Sequence, residues 1–484
     1  MLHATIRDHL KTFLAEAAQH SDTGAGLPRF VAAEFERYLA CGILSNGFAR
    51  VRCTSCGDES LVAFSCKGRG FCPSCTTRRM QSTATNLVDR VLPHAPMRQW
   101  VLSLPRWARF LLARDAGLIT RSLDVALREI FASQRRRARR AGARAPQAGA
   151  VTFVQRFGGA LNLNVHFHCV IPDGVFVRED GAVRFVALAP PSDDEVKAIL
   201  HRIALRVRNL LRPRVEAADA DARPPDVLTL AQAESVSLLR GKHPKAGRAK
   251  KHAAYLDGFS LHAGVHLHAN DREGLAHLCG YGARPPLCQD RLSALPDGRL
   301  ALRLKRPLAD GREALLLEPL GLLRRLATLV PPPRHHLVRY HGVFGPASRW
   351  RSEVVPVQPA PSSPCAAAPV DAAPSVAAPP PTSPAPTSRI RWSDLLLRVF
   401  REDVLSCPCG GRRVLLAFIT EKKVIHAILE HLGLPTTGPP IAPARSTSPD
   451  EFTGWQDDCC SSPAVHPARH PRANALNSAC AATR

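Results

Sequence analysis

The stretch "LNLNVHFHCVIPDGV", which begins at Leu161, constrains the fold more than any other part of the chain. Every second residue from Leu161 to Cys169 is apolar, and asparagines and histidines occupy the positions between them. Because successive side chains of a β-strand point to opposite faces, this alternation predicts a strand with one buried face and one polar face. His166 and His168 share the polar face, about 7 Å apart along the backbone.

The histidine pair predicts a metal site, since neutral imidazoles are common ligands and two of them at this spacing can converge on one ion. Asn162 and Asn164 belong to the same predicted face and add further polar groups. A half-buried strand with two surface histidines is the simpler interpretation, and it involves no metal. The pairing of two rings on one polar face favours the metal site.

Two C-x-x-C pairs occur in the segment "RCTSCGDESLVAFSCKGRGFCPSCTTRRM". The pairs are Cys53 with Cys56 and Cys72 with Cys75. Residues 57–71 separate them, a spacing typical of one zinc ion bound by four thiolates. Buried free thiols are the alternative, and Cys41 and Cys66 could replace one of the four ligands or simply pack. The segment is therefore predicted to be a ribbon or knuckle in which structural Zn²⁺ takes the place of a core.

The later segment "SCPCGG" resembles a zinc-binding turn, but its Cys407 and Cys409 are separated by a single residue. No further pair lies close to it in the sequence, and Cys459 and Cys460 belong to a polar tail. We therefore predict no second zinc site in this part of the chain.

The charge of the chain indicates its partner. The 484 residues carry a net charge of +24, from 65 Lys and Arg against 41 Asp and Glu. This excess predicts a polyanionic partner, either nucleic acid or an anionic membrane surface. No run of about 20 apolar residues occurs, so no membrane span is expected. The first helical pattern lacks the apolar stretch of a signal peptide, which predicts a cytoplasmic protein whose cysteines stay reduced.

Basic residues cluster beside the cysteine pairs and in the run "RRRARRAGAR". A solvated basic surface would account for them, but the charge of the whole chain favours contact with phosphates. The predicted DNA-contacting residues are Lys67, Arg69, Arg78, Arg79, Arg135, Arg136 and Arg137.

A change in composition divides the chain. Residues 356–388 are almost entirely Pro, Ala, Ser and Val, which predicts a flexible linker. The predicted organisation is a zinc-binding DNA-recognition domain over 1–98, a mixed α+β domain over 99–350, a linker over 351–389, a small accessory module over 390–434 and a disordered tail over 435–484.

The combination of "FSCKGRGFCPSCTTRRM" with "LNLNVHFHCVIPDGV" resembles the rolling-circle insertion-sequence transposases, which are HUH tyrosine nucleases. The segments "DGFSLHAGVHLHANDREGLAHLCGYGARPPL" and "PPPRHHLVRYHGVFGP" resemble the same family, so the resemblance covers roughly residues 10–350. It implies an α+β fold of the HUH type. In that fold an antiparallel sheet is flanked by helices, the histidine strand is central, and a small helical and zinc-ribbon domain precedes the sheet.

The resemblance also implies the chemistry. Members of the family hold a divalent ion, Mg²⁺ or Mn²⁺, with two histidines and a third polar side chain, and the ion polarises the scissile phosphate. A tyrosine hydroxyl attacks the DNA and forms a 5′-phosphotyrosine, which conserves the energy of the phosphodiester for strand joining. The implied substrate is a single-stranded transposon end, in the cytoplasm of a bacterium.

Tyr281 matches the catalytic tyrosine of this family. It lies on the last turn of a helix predicted from Asp271 to about Gly282. Relatives often carry a second tyrosine four residues earlier, where this chain has His277, so the resemblance implies a mechanism with one tyrosine. Alternatively, Tyr281 only packs at the helix end, and Tyr340 is then the next candidate nucleophile.

The third metal ligand is predicted from a second alternating stretch, "FSLHAGVHLHA", which comes directly before that helix. Its polar positions include His262, His266 and His268. His262 fits a recurring "LHA" of the family and is the candidate ligand, while a ligand from the tyrosine helix is the alternative.

These features predict a transposase that cleaves and rejoins single strands of DNA. Two alternatives belong to other functional classes. A zinc-finger regulator would need the cysteines but neither the histidine pair nor Tyr281. An HUH replication initiator would use the same nicking chemistry at a plasmid or phage origin.

Overall fold

The computed structural model describes residues 1–21, 24–220, 226–237, 251–308, 310–356, 393, 396–397 and 403–445. The helices are α1 (Leu2–Gln19), α2 (Arg29–Leu39), α3 (Pro73–Arg90), α4 (Arg106–Arg114), α5 (Ala116–Arg140), α6 (Asp193–Ala220), α7 (Val227–Ser237), α8 (Arg272–Ala283), α9 (Pro319–Leu329), α10 (Arg351–Val354) and α11 (Lys422–His431). The strands are β1 (Phe48–Cys53), β2 (Glu59–Ala63), β3 (Met97–Ser103), β4 (Gly149–Phe157), β5 (Leu163–Pro172), β6 (Gly174–Glu179), β7 (Ala182–Ala187), β8 (Ala253–Leu256), β9 (Phe259–Leu267), β10 (Leu292–Ala294), β11 (Leu300–Arg303), β12 (Ala314–Leu317), β13 (Val338–Gly342) and β14 (Arg413–Ile419).

A six-stranded sheet with the order β13-β4-β5-β3-β9-β8 forms the centre of the molecule. Every neighbouring pair in it is antiparallel. The strand with the histidine pair, β5, lies between β4 and β3 and is therefore central, as the sequence predicts. The predicted α+β class, an antiparallel sheet flanked by helices, is confirmed.

The two faces of this sheet are covered by different helices. Phe167 and its apolar neighbours on β5 join a large core to which α1, α4, α5, α6, α7 and α9 contribute. Val170 has the same parity as the histidines and joins a second core with residues of α3 and α8, including Leu275 and Cys279. The histidine face of β5 is therefore covered by α3 and α8.

Local chemistry explains why α8 begins and ends where it does. The side chain of Asp271 accepts a hydrogen bond from the backbone N–H of Gly274 at 2.8 Å, which caps the helix. Near its other end, a Cβ on Gly282 would lie 2.5 Å from the ring of Phe153, so glycine lets the helix lie directly on β4. The observed helix agrees with the prediction to within a residue at each end.

The predicted boundary between residues 98 and 99 falls inside β3, which is a strand of the central sheet. The prediction is therefore wrong at this point. Phe71 and Cys72, from the predicted zinc-binding domain, belong to the same core as Trp100 of β3. Shared burial, which a change in composition does not reveal, joins the two segments.

The C-terminal module, defined here as residues 403–434, joins the N-terminal ribbon. Its strand β14 pairs antiparallel with β1, which becomes the middle strand of a three-stranded sheet, β14-β1-β2. Phe48 of β1 packs with Ile425 and Leu429 of α11 in a small core. The linker predicted over 351–389 lies outside the described residues from position 357 onwards.

The start of the predicted tail lies along α1. The backbone N–H of Ala442 donates to the carbonyl of Arg7 at 3.2 Å, and Ile441 packs against the large core. The prediction of disorder is thus wrong for residues 435–445, because one apolar side chain finds a partner on the domain surface. Residues 446–484 lie outside the described residues. In the part of the chain that the structure describes, no helix combines the length and apolarity needed to cross a membrane.

Candidate active site and cysteine clusters

The histidine pair, His166 and His168, lies beneath α8 on the central strand. The centroids of the two rings are 4.9 Å apart, and the residues are 8% and 4% exposed. In the strand register His168 lies opposite Val101 of β3 and Phe153 of β4. The pair is therefore held in the middle of a rigid sheet and is more buried than a surface pair would be.

The hydrogen bonds of His166 fix its tautomer. Its Nδ1 lies 2.8 Å from the carbonyl oxygen of Asn164, which can only accept, so Nδ1 carries the proton. The lone pair of Nε2 is then free to bind a metal ion. This is the arrangement in which a metal-binding histidine is usually oriented by a backbone carbonyl.

His168 has a comparable partner in Gln99 of β3. The amide Nε2 of Gln99 and His168 Nδ1 are 3.1 Å apart, and His168 Nε2 is buried with no hydrogen-bond partner in the described part of the chain. The oxygen and nitrogen of a glutamine amide differ little in shape, so rotation of the amide lets its oxygen accept from a protonated Nδ1. The unpartnered Nε2 would then be a metal ligand.

Both imidazoles are neutral near neutral pH. Burial lowers the pKa of His166 to about 4, against a smaller opposing effect of its bond to Asn164. Burial also holds the pKa of His168 well below its usual value, and the neighbouring His166 and Arg284 lower it further. Neutral imidazoles have the lone pairs that a divalent ion requires.

Tyr281 lies against this pair. Its ring centroid is 5.5 Å from that of His168, with the planes at 80°, and the residue is 38% exposed. The guanidinium carbon of Arg284 lies 4.7 Å from the centre of the tyrosine ring. The structure thus brings together the predicted nucleophile, the predicted metal ligands and a positive charge that the sequence analysis did not single out.

Gln155 of β4 fastens the tyrosine helix to the sheet. It lies opposite His166 in the strand register, and its Nε2 donates to the carbonyls of Tyr281 and Gly282 at 2.8 and 2.9 Å. Its Oε1 is buried and has no hydrogen-bond partner among the described residues. No pattern in the sequence indicates a role for Gln155, because only the register of β4 against β5 places it opposite His166.

The structure does not bring His262 to the pair. His262 lies on β9, two strands from β5 and about 10 Å away at the backbone, and its ring centroid is 5.2 Å from that of Tyr255. Among the described residues, no group of three His, Cys, Asp or Glu ligand atoms within 4.8 Å of one another includes the histidine pair. His266 lies 3.4 Å from Asp173, an acidic residue that also pairs with Arg98.

Tyr340, the alternative nucleophile, lies on β13. It packs against the second core, and the guanidinium of Arg351 lies 5.5 Å from its ring. Burial raises the pKa of Tyr340. Its surroundings are those of a packing residue.

A small cavity of about 80 Å³ opens beside the end of the tyrosine helix. Its walls include Arg69 and Arg79 from the cysteine-rich segment, Arg284 from the end of α8, and Gln155. The surface next to Tyr281 is therefore strongly basic, as a phosphate-binding surface requires. A larger cavity of about 490 Å³, lined by Phe30, Arg114 and Arg214 among others, includes none of these site residues.

The other predicted DNA-contacting residues lie in several places. Lys67 is exposed, and its carbonyl accepts a hydrogen bond from Arg79 at 3.1 Å. Arg78 instead donates to Cys75 Sγ at 3.5 Å, so its charge faces a sulfur atom. Three others, Arg135, Arg136 and Arg137, lie on the last turns of α5, a helix that packs on the opposite face of the sheet from Tyr281. The side chain of Arg137 is occupied by Glu195 and by the carbonyl of Ala189.

The cysteines form two clusters, not the single site that the spacing predicts. The first cysteine cluster consists of Cys41, Cys66, Cys72 and Cys75. The second cysteine cluster consists of Cys53, Cys56, Cys407 and Cys409. The predicted grouping of Cys53 and Cys56 with Cys72 and Cys75 is therefore wrong, because each C-x-x-C pair finds different partners in the fold.

The first cluster has the dimensions of a zinc site. The Sγ–Sγ distances are 3.8 Å for Cys41–Cys75, 3.4 Å for Cys66–Cys75 and 3.7 Å for Cys72–Cys41. Four sulfurs bound tetrahedrally at about 2.3 Å from zinc lie about 3.8 Å apart. These thiols fit structural Zn²⁺, which would cross-link the helix starting at Cys72 to the preceding loop.

Helix α3 connects the first cluster with the tyrosine helix. Cys72 is its N-cap residue and Cys75 lies in its first turn. Along its length α3 packs against α8, where a Cβ on Gly280 would contact Met80 at 3.9 Å. At the far end Arg272 donates to the carbonyl of Leu92 at 3.0 Å. The first cluster would thus fix the N-terminal end of α3, and α3 supports the helix that carries Tyr281. The position of Tyr281 therefore depends on the first cluster.

Comparison with protein families gives two matches. Residues 5–104 match a family described as "Transposase zinc-binding domain", of the IS91 type, and residues 149–351 match a family described as "Putative transposase". Comparison with curated proteins and with solved structures found no match. The first match contains the first cluster, and the second contains the histidine pair and Tyr281. The chain therefore contains one segment similar to an IS91-type transposase zinc-binding domain and a second segment similar to a putative transposase.

Proposed function

We propose that this chain cleaves and rejoins single strands of DNA at transposon ends, with Tyr281 as nucleophile and a divalent ion held by the histidine pair. The observation that carries the proposal is the contact between the rings of Tyr281 and His168, 5.5 Å apart between centroids. A phosphate that reaches the ion would also lie within reach of the phenol.

The donors around the pair fit an oxygen-loving ion such as Mg²⁺ or Mn²⁺. Besides two imidazole nitrogens, the buried Oε1 of Gln155 and Oδ1 of Asn164 have no hydrogen-bond partner within the ranges that the structure describes. We propose Gln155 as the third ligand in place of His262, because its two N–H bonds to α8 leave only the oxygen to bind. When bound, such an ion polarises a phosphate and stabilises the oxygen that leaves.

The residues of the chain would act in a fixed order. The Oη of Tyr281 attacks the phosphorus, the bond to the 3′ oxygen breaks, and the phenol proton is released while the 3′ oxygen gains one. A 5′-phosphotyrosine and a free 3′-hydroxyl result. In strand transfer a 3′-hydroxyl attacks the phosphotyrosine and regenerates the phenol, so that no external energy source is used.

One tyrosine suffices for this scheme. Helix α8 contains a single tyrosine, and His277, one turn earlier, is exposed. The basic cavity beside the helix end, with Arg69, Arg79 and Arg284, is the proposed path of the DNA backbone.

The test is formation of a covalent adduct between the purified protein and labelled single-stranded DNA from the transposon end, in the presence of Mn²⁺. We expect an adduct with the unchanged protein, none with Tyr281→Phe, and at least a hundredfold less with His168→Ala. Tyr255→Phe is the matched control, since this exposed tyrosine lies on the same sheet without touching the histidine pair.

The outcomes separate the candidate functions. An adduct that persists in Tyr281→Phe would refute the proposed nucleophile. DNA binding without an adduct under any metal condition would favour a zinc-finger regulator. Cleavage of an origin without transfer of transposon ends would favour a replication initiator.

A further inference from the structure

We propose that the second cysteine cluster, Cys53, Cys56, Cys407 and Cys409, binds a second zinc ion that holds the C-terminal module to the N-terminal ribbon. This proposal does not depend on the nuclease chemistry, because it concerns only the thiols and the strands that carry them. It reverses the expectation that "SCPCGG" binds no metal.

The sulfur atoms have the spacing of a tetrahedral zinc site. Cys53 and Cys409 are 3.6 Å apart between Sγ atoms, and so are Cys56 and Cys407. All four sulfurs lie within 4.8 Å of one another. These distances approach the edge of about 3.8 Å expected for four sulfurs around zinc and far exceed the length of about 2.05 Å in a disulfide.

The backbone around the sulfurs is arranged for thiolates. The N–H of Ser55 donates to Cys53 Sγ, and the N–H of Gly411 donates to Cys409 Sγ, each at 3.4 Å. Each half of the cluster thus has a backbone N–H directed at a sulfur two residues earlier. Such bonds stabilise the charged form of the sulfur, which is the form that binds zinc.

Gly411 allows the two halves to meet. A Cβ at this position would lie 2.5 Å from Ser55 Oγ and 2.9 Å from Cys53 Sγ. A residue with a Cβ at this position would force the side chains of Ser55 and Cys53 to shift. The turn that follows Cys407 and Cys409 therefore packs closely against the ribbon at Gly411.

Strand pairing places the ligands. The register of β1 with β14 sets Cys53 opposite Arg413, and the N–H of Thr54 donates to the carbonyl of Arg412 at 3.0 Å. Both cysteine pairs thus lie at the same end of the two strands. The small core formed by Phe48, Ile425 and Leu429 is the buried apolar cluster of the module among the described residues. Because it is small, a metal ion would supply much of the stability of the module.

The charges beside the cluster are complementary. Four thiolates around Zn²⁺ leave a net negative charge, and Arg413 lies next to the cluster, paired with Asp58 at 2.6 Å. A cation in this position favours the charged zinc–thiolate group.

The test is the zinc content of the full-length protein, purified without chelator and measured by mass spectrometry of the metal. We expect two zinc ions per unchanged chain and one in the double variant Cys407→Ser/Cys409→Ser. Cys288→Ser, which removes a thiol outside both clusters, should keep two. One ion per unchanged chain, or two in the double variant, would overturn the proposal.

A second variant guards against simple misfolding. Cys409 is exposed, and Cys409→His replaces a sulfur ligand with an imidazole that zinc also accepts. We expect this variant to retain two ions, whereas Cys409→Ser binds the second ion more weakly. With Co²⁺ in place of zinc, the histidine variant should show weaker thiolate-to-metal charge-transfer absorption per chain, because one thiolate fewer binds the metal. Identical spectra for all variants would contradict ligation by Cys409.

The role in holding the module is tested by cleavage. A recognition site for a specific protease is inserted within residues 357–388. Cleavage at this site breaks the covalent connection between the module and the rest of the chain. We expect the C-terminal fragment to stay bound during gel filtration in the otherwise unchanged protein and to separate in the double variant. Retention in both would show that zinc is not what holds the module.

Discussion

The two cysteine clusters each consist of four thiols, but they connect different parts of the chain. The first is local in sequence, from residue 41 to residue 75, and lies in the large core, where Cys72 is 1% exposed and Cys75 is 5% exposed. The second joins Cys56 to Cys407, 351 positions apart, and two of its four cysteines are exposed. The first cluster therefore stabilises residues 41–75, and the second links the N-terminal ribbon to the C-terminal module.

This difference predicts separate consequences for the two clusters. The first lies at the N-terminal end of α3, and α3 packs on the helix that carries Tyr281. The second supports β14 and α11, which contact the ribbon through β1 and the small core of Phe48, Ile425 and Leu429. Loss of the first should abolish DNA cleavage, whereas loss of the second should spare it.

Cys72→Ser should have the largest effect. Structural zinc contributes on the order of 10 kcal/mol to folding in zinc-finger peptides, so loss of a buried ligand should unfold the segment around α3. We expect one zinc ion fewer per chain and no detectable DNA adduct, measured by metal analysis and by the adduct assay. Cys288→Ser is the control. Full adduct formation in Cys72→Ser would remove the proposed link between the first cluster and the active site.

Removal of zinc by a chelator should show the next largest effect. The exposed thiols of Cys56 and Cys409 make the second cluster accessible, so it should lose its ion first. We expect two phases of zinc release. When the chelator is removed and Mn²⁺ is restored before each adduct assay, adduct formation should survive the first phase and disappear in the second. A loss of adduct formation that follows the first phase would contradict the assignment of separate roles.

Gly411→Ala should have an intermediate effect confined to the second cluster. The new methyl group would overlap Ser55 and Cys53, and overpacking of this kind costs about 1–3 kcal/mol. We expect weaker binding of the second zinc ion in competition with a coloured chelator, and unchanged adduct formation. Gly159→Ala is the matched control, since no atom of the described residues lies within 4 Å of its added methyl group. Equal zinc affinity in the two variants would show that the turn tolerates displacement.

Asp58→Asn should have the smallest effect. It removes the exposed ion pair with Arg413 but leaves every sulfur in place. We expect two zinc ions per chain and a thermal midpoint that falls less than in Gly411→Ala. The difference from the unchanged protein should shrink in high salt, because salt screens exposed charges. A loss of zinc in this variant would mean that the ion pair, and not only the thiolates, determines the site.

Much of the central domain could be predicted from the sequence. The alternation in β5 and β9 and the cap and glycine of α8 are local patterns, and the structure contains these elements at the predicted positions. Tyr281 and the histidine pair were each predicted from such patterns together with a family resemblance. They lie together because a helix that follows an antiparallel strand can fold back over the same sheet.

Other features depended on register. Gln155 carries no pattern of its own in β4, and it became a candidate ligand only because it lies opposite His166 and bonds the end of α8. His262 has a fitting pattern, but β3 separates its strand from β5. The cysteine spacing predicted a site of four thiols, but it did not predict which cysteines belong to the same cluster.

What the sequence determined by itself is therefore the periodicity of strands and helices and the residue types able to bind metal. These depend on backbone geometry and side-chain chemistry, which act over a few residues. The tertiary structure decided which cysteines meet, which residue of β4 lies opposite His166 and where the C-terminal strand pairs. Such choices depend on contacts between residues from 11 to more than 350 positions apart, and spacing along the chain does not reveal which of these residues meet in the fold.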